Sequence, residues 1–527
     1  MSVLREVQAL RAISLLIAVC LVGPPVQAKY GGGSGTGDDP YQIWTAEQMN
    51  AVGANPGDWN EHFKLMADID LAGFDGKKGR PVFKVIAPDT DAVTSGFQGT
   101  FFTGVFDGNG HTISRLILAG GSYLGLFGAL GRGAEVRDLG VEDVSITGSG
   151  GSIGGLAGYN ESGSVRHCYS AGLVSGSYSI GGLVGDNKGS ILNSYSTGEV
   201  SVSTEDTDSK NIGGLVGSNY YEATLCHCYS TCEIKGLDRK SENFGGLVGL
   251  NQGGVLHCYS TGSVSGSNDG DKNFGGLVGD NEGSVINCYS AGSVISNRNV
   301  GGMAGYNGGR ASNCYSTGSV TGNQYVGGFV GYNQESVTHS YSIGKVIGKS
   351  GLGGFAGYSG SNTAVSNCFW DVDSSELGTS AGGTGLVTSK MMDKSTYTAA
   401  RWDFAGEKED GLHEIWQMPP SGGYPELSVF AGYTPAQLSG NGTAEDPYLI
   451  GDANELGAVL YYEPKANYHL ICDIDLSGIN WSGAVITELD GVFNGNGFVI
   501  RNLTISGFLV SACSGRSIRG PKSRTLA

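Results

Sequence analysis

The 527-residue sequence is poor in charge, in proline and in long apolar runs. Charged residues make up 16% of the chain, prolines number 13, and the net charge is −18. Nucleic acids and anionic lipid heads are bound by basic patches, so this acidic balance argues against either partner. Beyond the N-terminus, no stretch stays apolar over the length that a membrane-spanning helix needs. We therefore expect no nucleic-acid partner, and no transmembrane segment once a leader is removed.

The N-terminus has the pattern of an export signal. Arg5 and Arg11 precede an apolar stretch, residues 12–23, which is too short to cross a bilayer. Val26-Gln27-Ala28 offers a small-residue cleavage site, so residues 1–28 are predicted to be a signal peptide. A lipoprotein signal ending at Cys20 is the alternative. Both patterns predict a protein that is secreted or held at a cell surface.

Glycine is abundant, with 92 copies, and much of it lies in one repeated phrase such as IGGLVG. It does not recur at every third position as in collagen, and apolar residues alternate with it in a fixed order. Successive copies lie 26 to 32 residues apart, which indicates stacked structural units. The eight copies begin at Ile153, Ile180, Ile212, Phe244, Phe274, Val300, Val326 and Leu352, and a related phrase begins at Tyr123.

Each repeat consists of short β-favouring runs separated by Gly, Asn and Ser. No window between glycines is long enough for an amphipathic helix. Three short strands and three tight turns in 26 residues describe one coil of a parallel β-helix. Because known β-helices are right-handed, we predict an all-β, right-handed parallel β-helix with small capping helices. The glycine pair should permit a bend or a close approach of two backbones.

An asparagine column follows the glycine pairs. Asparagine tolerates a left-handed turn, and stacked amides can form hydrogen bonds from coil to coil. We predict a structural ladder, with ligand binding as the alternative. The column contains Asn160, Asn187, Asn219, Asn251, Asn281, Asn307 and Asn333, and Ser359 takes its place in the last repeat.

A cysteine column lies further along each repeat, with Ser194 and Ser340 in two of the copies. This interchange favours a small side chain over thiol chemistry. Stacked Cβ atoms would lie about one strand spacing apart, which is wider than the roughly 3.8 Å of a disulfide, so buried free thiols are predicted and disulfides are the alternative. The column contains Cys168, Cys228, Cys258, Cys288, Cys314 and Cys368.

Two further interpretations concern this region. Cys226, His227, Cys228 and Cys232 are close enough in sequence for a local disulfide or a weak zinc pattern. A tyrosine follows the Cys position in seven repeats, from Tyr169 to Tyr341. Packing of these rings within the structure is predicted, and an exposed stripe for stacking on sugars is the alternative.

The glycine phrase and the following C-Y-S-T-G-x-V segment together resemble the GLUG motif family, from about residue 121 to residue 370. The resemblance implies a bacterial surface or secreted protein. The family includes adhesin-like proteins and some IgA-specific metallopeptidases. A zinc peptidase of the HExxH type needs two histidines one helical turn apart. The nearest match is His413-Glu414-Ile415-Trp416-Gln417, where Gln417 replaces the second histidine, so no metal site is predicted.

Two similar modules flank the repeats. GTGDDPYQI at 35–43 is echoed by GTAEDPYLI at 442–450, and each is followed by a short helical pattern, at 45–52 and 452–460. Such modules can cover the open end of a β-helix. The predicted division is a cap module at 29–120, the repeat array at 121–370, an array-closing segment and linker at 371–439, and a second, truncated cap module at 440–507.

Residues 508–527 depart from this pattern. The tail has four basic residues and no acidic one, inside an otherwise acidic chain. We interpret it as an aberrant basic tail and hypothesise a truncated or frameshifted gene product. Further GLUG repeats in another reading frame of the locus would confirm the hypothesis, and an ordinary non-coding region would contradict it.

Three consecutive repeats are lengthened at one corner, just before the glycine pair. Repeat insertions often form the binding face of a solenoid, so these inserts are predicted binding loops. Their carboxylates could bridge calcium, although no EF-hand loop or RTX nonapeptide is present, and no cofactor is predicted. The insert acids are Glu205, Asp206, Asp208, Asp238, Glu242, Asp269 and Asp271.

The strand segments of the repeats are regular and nearly uncharged. A glycosidase needs two carboxylates on either side of a cleft, and such a site would interrupt the repeat pattern. We therefore predict a non-catalytic, exported structural or adhesion protein, a monomeric rod whose corner loops face a surface glycan or protein. A carbohydrate-active β-helix enzyme, either a polysaccharide lyase or a hydrolase, is the alternative.

Overall fold

The computed structural model describes residues 29–91, 94–202, 209–236, 240–361, 363–407, 411–463, 465–481, 485–486, 489 and 491–505. The chain winds into a stack of coils in which the neighbouring strands run parallel. The predicted all-β, right-handed parallel β-helix is thereby confirmed. The predicted signal peptide and basic tail lie outside the described residues.

One sheet, the long sheet, runs along most of the rod and contains twelve strands. Its first three strands come from the N-terminal cap module, so this module supplies the first coils. The strands are Tyr41–Ile43, His62–Leu65, Val105–Asp107, Glu135–Arg137, Ser164–Arg166, Ser190–Leu192, Thr224–Cys226, Gly254–Leu256, Ser284–Ile286, Arg310–Ser312, Val337–Thr338 and Val365–Ser366.

The glycine pair separates two further sheets, so the repeat coils contribute strands to four sheets, and most have five strand segments where the sequence predicted three. The glycine sheet ends at the pair, and its strands are Gly151–Ile153, Tyr178–Gly181, Ser209–Gly213, Ser241–Gly245, Lys272–Gly275, Arg298–Gly301, Gln324–Gly327 and Ser350–Gly353. The asparagine sheet follows the pair, and its strands are Phe127–Leu130, Ala157–Asn160, Val184–Asn187, Val216–Asn219, Val248–Asn251, Val278–Asn281, Ala304–Asn307, Val330–Asn333 and Ala356–Ser359.

The tyrosine sheet forms the remaining side of each coil. Most coils contribute two short strands to it, the first beginning at a tyrosine. Its strands are Ile69–Asp70, Thr112–Ser114, Ile117–Gly120, Gly140–Gly148, Tyr169–Gly176, Tyr195–Val202, Tyr229–Ser230, Glu233–Lys235, Tyr259–Ser260, Val264–Ser265, Tyr289–Ser290, Val294–Ile295, Tyr315–Ser316, Val320–Thr321, Tyr341–Ser342, Val346–Ile347, Phe369–Asp371 and Thr384–Leu386.

Close packing of backbones explains the glycine pair. A Cβ atom on Gly246 would lie 2.1 Å from the carbonyl oxygen of Gly276 in the next coil, and one on Gly245 would lie 2.0 Å from the oxygen of Val248. The expected close approach of two backbones is therefore present at the pair. Equivalent apolar residues stack in the interior, as in the Phe244–Phe274 pair, whose ring centroids are 4.7 Å apart.

The two cap modules begin with the predicted short helices. Ala46–Ala54 starts at Thr45, whose hydroxyl accepts a hydrogen bond from the Gln48 amide. Ala453–Ala458 starts at Asp452, whose carboxylate accepts one from the Glu455 amide. Each N-cap satisfies a backbone donor that the first helical turn leaves without a partner. Across the described ranges, no helix is long and apolar enough to cross a membrane.

The segment after the array turns back along the side of the rod. Its helices are Val372–Ser375, Thr388–Met391 and Lys394–Ala399, and its antiparallel strands are Trp416–Gln417 and Glu426–Leu427. The second cap module has parallel strands at Tyr448–Ile450, Asn467–Leu470, Val492–Asn494, Ile474–Asp475, Ile500–Arg501, Asn480–Trp481 and Thr504–Ile505. One-turn 3₁₀ helices lie at Pro56–Asp58, Ala72–Phe74, Ser428–Phe430 and Val459–Tyr461.

Candidate functional site

The asparagine column forms a continuous ladder of buried amides. Each side-chain nitrogen from Asn160 to Asn307 donates to the side-chain oxygen of the asparagine in the next coil, at 2.7–2.9 Å. Asn333, the last asparagine, lies 3.4 Å from the hydroxyl of Ser359. The ladder fixes the spacing and register of the coils, and its members are turned away from solvent.

The cysteine column consists of buried free thiols. Each Sγ donates to the carbonyl oxygen two residues earlier, at 3.0–3.3 Å. The hydroxyls of Ser194 and Ser340 make the same bond at 2.7 and 2.8 Å, which explains why serine replaces cysteine there. Burial raises the pKa of Cys258 well above its usual value, so this thiol stays protonated and unreactive.

The local cysteine cluster does not converge on one point. Cys228 and Cys232 belong to the main core, whereas Cys226 lies in a separate apolar cluster with Leu192 and Leu256. The ring of His227 instead meets the backbone carbonyl of Tyr461 at 3.1 Å. No group of three or more His, Cys, Asp or Glu side chains suited to a metal ion occurs in the described ranges.

The described insert acids have structural contacts. Glu242 lies between Lys272, at 2.7 Å, and Lys210, at 3.3 Å, on neighbouring strands of the glycine sheet. Burial opposes ionisation of Glu242, but the two ammonium groups lower its pKa overall. Asp271 is buried and accepts hydrogen bonds from the amides of Ser241 and Asn268. Asp269 is exposed.

The other predicted insert acids, Glu205, Asp206, Asp208 and Asp238, lie outside the described residues. Their role in binding, including calcium binding, stays a prediction.

The tyrosine column is a stack of nearly parallel rings on the outer side of its sheet. Neighbouring centroids from Tyr169 to Tyr341 are 4.7–5.1 Å apart, with interplanar angles of 2–4°. Because each ring covers the face of the next, the stripe presents ring edges and hydroxyl groups to its surroundings. Stacking of a sugar needs an open ring face, so this arrangement disfavours the sugar-stacking alternative for this column.

The segment after the array covers the C-terminal half of this stripe. The ring of Phe430 meets the rings of Tyr259 and Tyr289 edge-on, at 5.4 and 5.0 Å. The hydroxyl of Tyr341 donates to the carbonyl oxygen of Pro425 at 2.7 Å. Residues 371–439 were predicted to close the array and link it to the next module. These contacts show that they also pack along the side of the rod, which the sequence did not indicate.

The second cap module rests on the turns next to this stripe. The ring nitrogen of His257 lies 2.9 Å from the carbonyl oxygen of Leu460, and its ring stacks on Tyr461 at 5.5 Å. The Lys465 ammonium donates to the carbonyl oxygen of Glu222 at 2.7 Å. Burial, together with the neighbouring His227, lowers the pKa of His257 to about 3, so the ring is neutral in the folded protein.

A cleft of about 260 Å³ opens on the asparagine sheet near the N-terminal end of the array. Unlike side chains meet here, in contrast to the amide, thiol and tyrosine columns described above. The lining residues are Gly96, Phe97, Tyr123, Tyr159, Asp186, Lys188 and Tyr220.

One wall of the cleft is aromatic. Phe97 lies on the loop before the array, 5.4 Å from the ring of Tyr123. Tyr123 lies 6.1 Å from Tyr159, and these two rings are tilted by 58°. The tilt keeps the rings from covering one another, in contrast to the tyrosine stripe. Ring surface therefore remains available on this wall.

The polar side of the cleft holds one carboxyl and one ammonium group. Asp186 is 9% exposed and receives a hydrogen bond from the hydroxyl of Ser152, whereas its Oδ1 atom has no hydrogen-bond partner in the described part of the chain. The Lys188 ammonium donates to the Tyr159 hydroxyl at 2.8 Å and lies 5.5 Å from the centre of the Tyr220 ring. A carboxyl group and an ammonium group are thus directed into an aromatic depression.

Burial controls the ionisation of this cleft. It raises the pKa of Asp186, against the opposing effect of nearby serine hydroxyls, and so favours the neutral acid. It also raises the pKa of Tyr123 and of Tyr220 to about 12. The hydrogen bond to Tyr159 raises the pKa of Lys188, which keeps this side chain charged. Tyr123, Tyr220 and Lys188 are therefore protonated at neutral pH.

A second perturbed carboxyl lies further along the same sheet. Burial, followed by the charges of Glu282 and Glu242, raises the pKa of Asp280 to about 7. Its strand neighbours in the same column are Leu250 and Tyr306. Asp280 does not line the cleft.

Comparison with known proteins identifies one motif within the array. A family profile described as the GLUG motif matches residues 322–347. The chain carries the GLUG motif. Halomucin of Haloquadratum walsbyi is 32% identical over 158 residues, which are 29% of this chain and 2% of that protein. A glycine-rich candidate membrane protein of Evansella cellulosilytica is 31% identical over 143 residues, or 26% of this chain and 15% of that protein.

Two solved structures also align with this chain. A candidate immunoglobulin A1 protease from Bacteroides ovatus is 21% identical, with a TM-score of 0.30, over 76% of this chain and 96% of that one. An IgA1 protease is 18% identical, with a TM-score of 0.35, over 68% of this chain and 24% of that one. The chain spans a small part of the length of the curated relatives that it matches.

Sequence reasoning missed two sets of residues beside the ladders. Asn211, Asn243, Asn273 and Asn299 form a second amide ladder before the glycine pairs, with bonds of 2.7–2.9 Å. All four have φ between 52° and 64°, so the Asn written before four of the eight apolar-Gly-Gly phrases was a signal for a left-handed turn. The cleft was missed because its residues come from separate coils and a loop.

Proposed function

We propose that this GLUG-motif chain is an exported, non-catalytic β-helix rod of the structural or adhesion type. It presents its corner loops and its aromatic cleft to a partner at a cell surface, either a glycan or a protein. The observation that carries the proposal is the uniformity of the columns. Amides, thiols and tyrosines stack on their own kind from coil to coil, which builds a stiff support but does not assemble an acid with a base or a nucleophile.

Several features support export and a surface location. The predicted leader precedes the rod, and the acidic chain lacks the basic excess that nucleic-acid binding requires. The Evansella relative is itself described as a membrane protein. Buried amide and tyrosine ladders also suit a protein that must keep its shape outside the cell.

The chemistry of the cleft supports binding in preference to catalysis. Hydrolysis of a glycoside needs two carboxyl groups, and Asp186 is the single carboxyl among the lining residues. A lyase needs a deprotonated base near neutral pH. The pKa values of Lys188, Tyr123 and Tyr220 are all raised, which makes each of them a poorer base at that pH.

One observation favours the enzyme alternative. A carboxyl with a pKa of about 7, such as Asp280, is suited to protonating a leaving group, and Glu282 is a neighbouring carboxylate. A hydrolase at this position would be a second function of the same rod. Asp280→Asn is therefore the variant that separates the two functions.

The test follows polysaccharides exposed to the full chain. Acidic and neutral polymers are incubated with the protein for a day, with and without calcium, and polymer size and new chain ends are measured. The proposal predicts no cleavage and retention of a glycan or of a protein partner. Cleavage that is lost in Asp280→Asn would replace the proposal by the hydrolase alternative.

A further inference from the structure

The cleft lies in the coils that precede the second amide ladder. The position two residues before the glycine pair is Asn211, Asn243, Asn273 and Asn299 in four consecutive coils. It is Ser152 and Ser179 in the two coils at the cleft, and Tyr325 and Gly351 in the last two repeats. The shorter serine side chains leave a depression over Asp186, which occupies the outward column of the asparagine sheet. The depression is therefore a local departure from the repeat, and a departure of this kind is unnecessary for building the rod.

The aromatic wall offers the kind of surface that a sugar ring covers. The C–H face of a pyranose is apolar and packs on ring faces, and tilted rings leave such faces open. The Lys188 ammonium lies over Tyr159, at 5.1 Å from the ring centre, and over Tyr220. Because this cation already occupies the aromatic surroundings, a second organic cation would be repelled from them.

The polar groups complement the hydroxyls of a sugar. The Oδ1 atom of Asp186 is buried without a hydrogen bond, and a buried acceptor of this kind gains when a ligand donor reaches it. Lys188 is exposed and can donate to a hydroxyl or carboxylate of the ligand. An acceptor, a donor and a ring surface therefore converge on a volume of about 260 Å³, which suits one or two sugar units.

We propose that this cleft is a glycan-binding subsite that holds one sugar residue of a longer chain. The sugar ring packs against Tyr123 and Tyr159, one of its hydroxyls donates to Asp186, and Lys188 donates to an adjacent oxygen. This inference rests on the proposed function, since it names the class of partner that the rod presents its surface to.

The experiment measures binding of the full chain to immobilised oligosaccharides of three kinds. The probes are β-1,4-linked glucose oligomers, N-acetylglucosamine oligomers and galacturonic acid oligomers. The variants are Tyr159→Ala and Asp186→Ala, which remove a ring wall and the acceptor. Tyr306→Ala is the matched control because it removes a tyrosine from the outward column that holds Tyr159 and Asp186. Circular dichroism and thermal unfolding establish that each variant is folded.

We expect binding to at least one of the three probes, weakened at least tenfold in both cleft variants and changed less than twofold in Tyr306→Ala. Loss of galacturonate binding alone in Lys188→Met would assign the acidic class, because the ammonium group pairs with the carboxylate. Binding to none of the probes, or equal binding by wild type and cleft variants, would overturn the inference. Neither result would show cleavage, so the failure of this inference is distinguishable from the failure of the proposed function.

Discussion

Replacing Asn251 with alanine removes one rung from the middle of the asparagine ladder. Its amide nitrogen donates to the Asn281 side chain at 2.8 Å and to the Gly253 carbonyl at 3.2 Å, and its oxygen accepts from Asn219 at 2.9 Å. A net hydrogen bond contributes about 1 kcal/mol, and a buried polar atom left without a partner costs about 1–3 kcal/mol. Because the Asn281 oxygen loses its donor, we expect the free energy of unfolding to fall by about 3–5 kcal/mol.

Urea unfolding followed by far-ultraviolet circular dichroism measures this loss. Asn333→Ala is the matched control, because Asn333 lies at the end of the ladder and has an asparagine neighbour on one side only, Asn307. We expect the control to lose about half as much stability as Asn251→Ala, with an unchanged dependence on urea concentration. A loss below about 1 kcal/mol for Asn251→Ala, or an equal loss at both positions, would refute the reasoning that stacked amides hold the coils together.

Three other expectations follow from the packing. Gly246→Ala should destabilise the rod strongly in thermal unfolding, because the new Cβ would lie 2.1 Å from a backbone oxygen. Gly121→Ala should have little effect, because a Cβ there has no heavy atom within 4 Å. Equal effects of the two substitutions would contradict this reasoning. Cys258→Ser should stay folded, because serine makes the same hydrogen bond to a carbonyl oxygen in two other coils. The thiols of the native protein should resist labelling, because they are buried. Rapid labelling of the folded protein would contradict their burial. His257 has a pKa of about 3 in the folded protein against about 6.5 when unfolded. Its contribution to the free energy of unfolding is therefore complete above pH 6.5 and falls as the pH drops below that value. The loss is about 2 kcal/mol at pH 5. His257→Gln should remove that part of the acid sensitivity in parallel urea titrations, and an unchanged pH profile would contradict it.

The fold of the array could be predicted because its repeats are nearly self-contained. The spacing of the glycine pairs specifies the length of a coil, and the pattern of short β runs excludes helices. The number of sheets could not be predicted, since the corner at the glycine pair depends on how closely the Gly246 and Gly276 backbones approach in three dimensions.

The packing of the C-terminal part was beyond sequence reasoning for another reason. The contacts of Phe430 with Tyr259, and of Tyr461 with His257, join residues that are far apart in the chain and carry no shared motif. The columns showed which residues stack, but not which segment would cover them.

The cleft shows the same limit. Asp186 and Lys188 stand in ordinary repeat positions, and what makes them a candidate site is the arrival of Phe97 from a loop and the small size of Ser152. Comparison of the residues two positions before each glycine pair would have shown serine here, where the next four coils have asparagine.

Nuclear magnetic resonance of an oligosaccharide mixed with the full chain tests the central claim most directly, since one sample reports both binding and chemical change. The account predicts magnetisation transfer from the protein's aromatic protons to sugar ring protons, with the oligosaccharide spectrum unchanged after a day. New anomeric signals or new unsaturated-sugar signals would contradict it, because they would show that the rod converts the glycan that it holds.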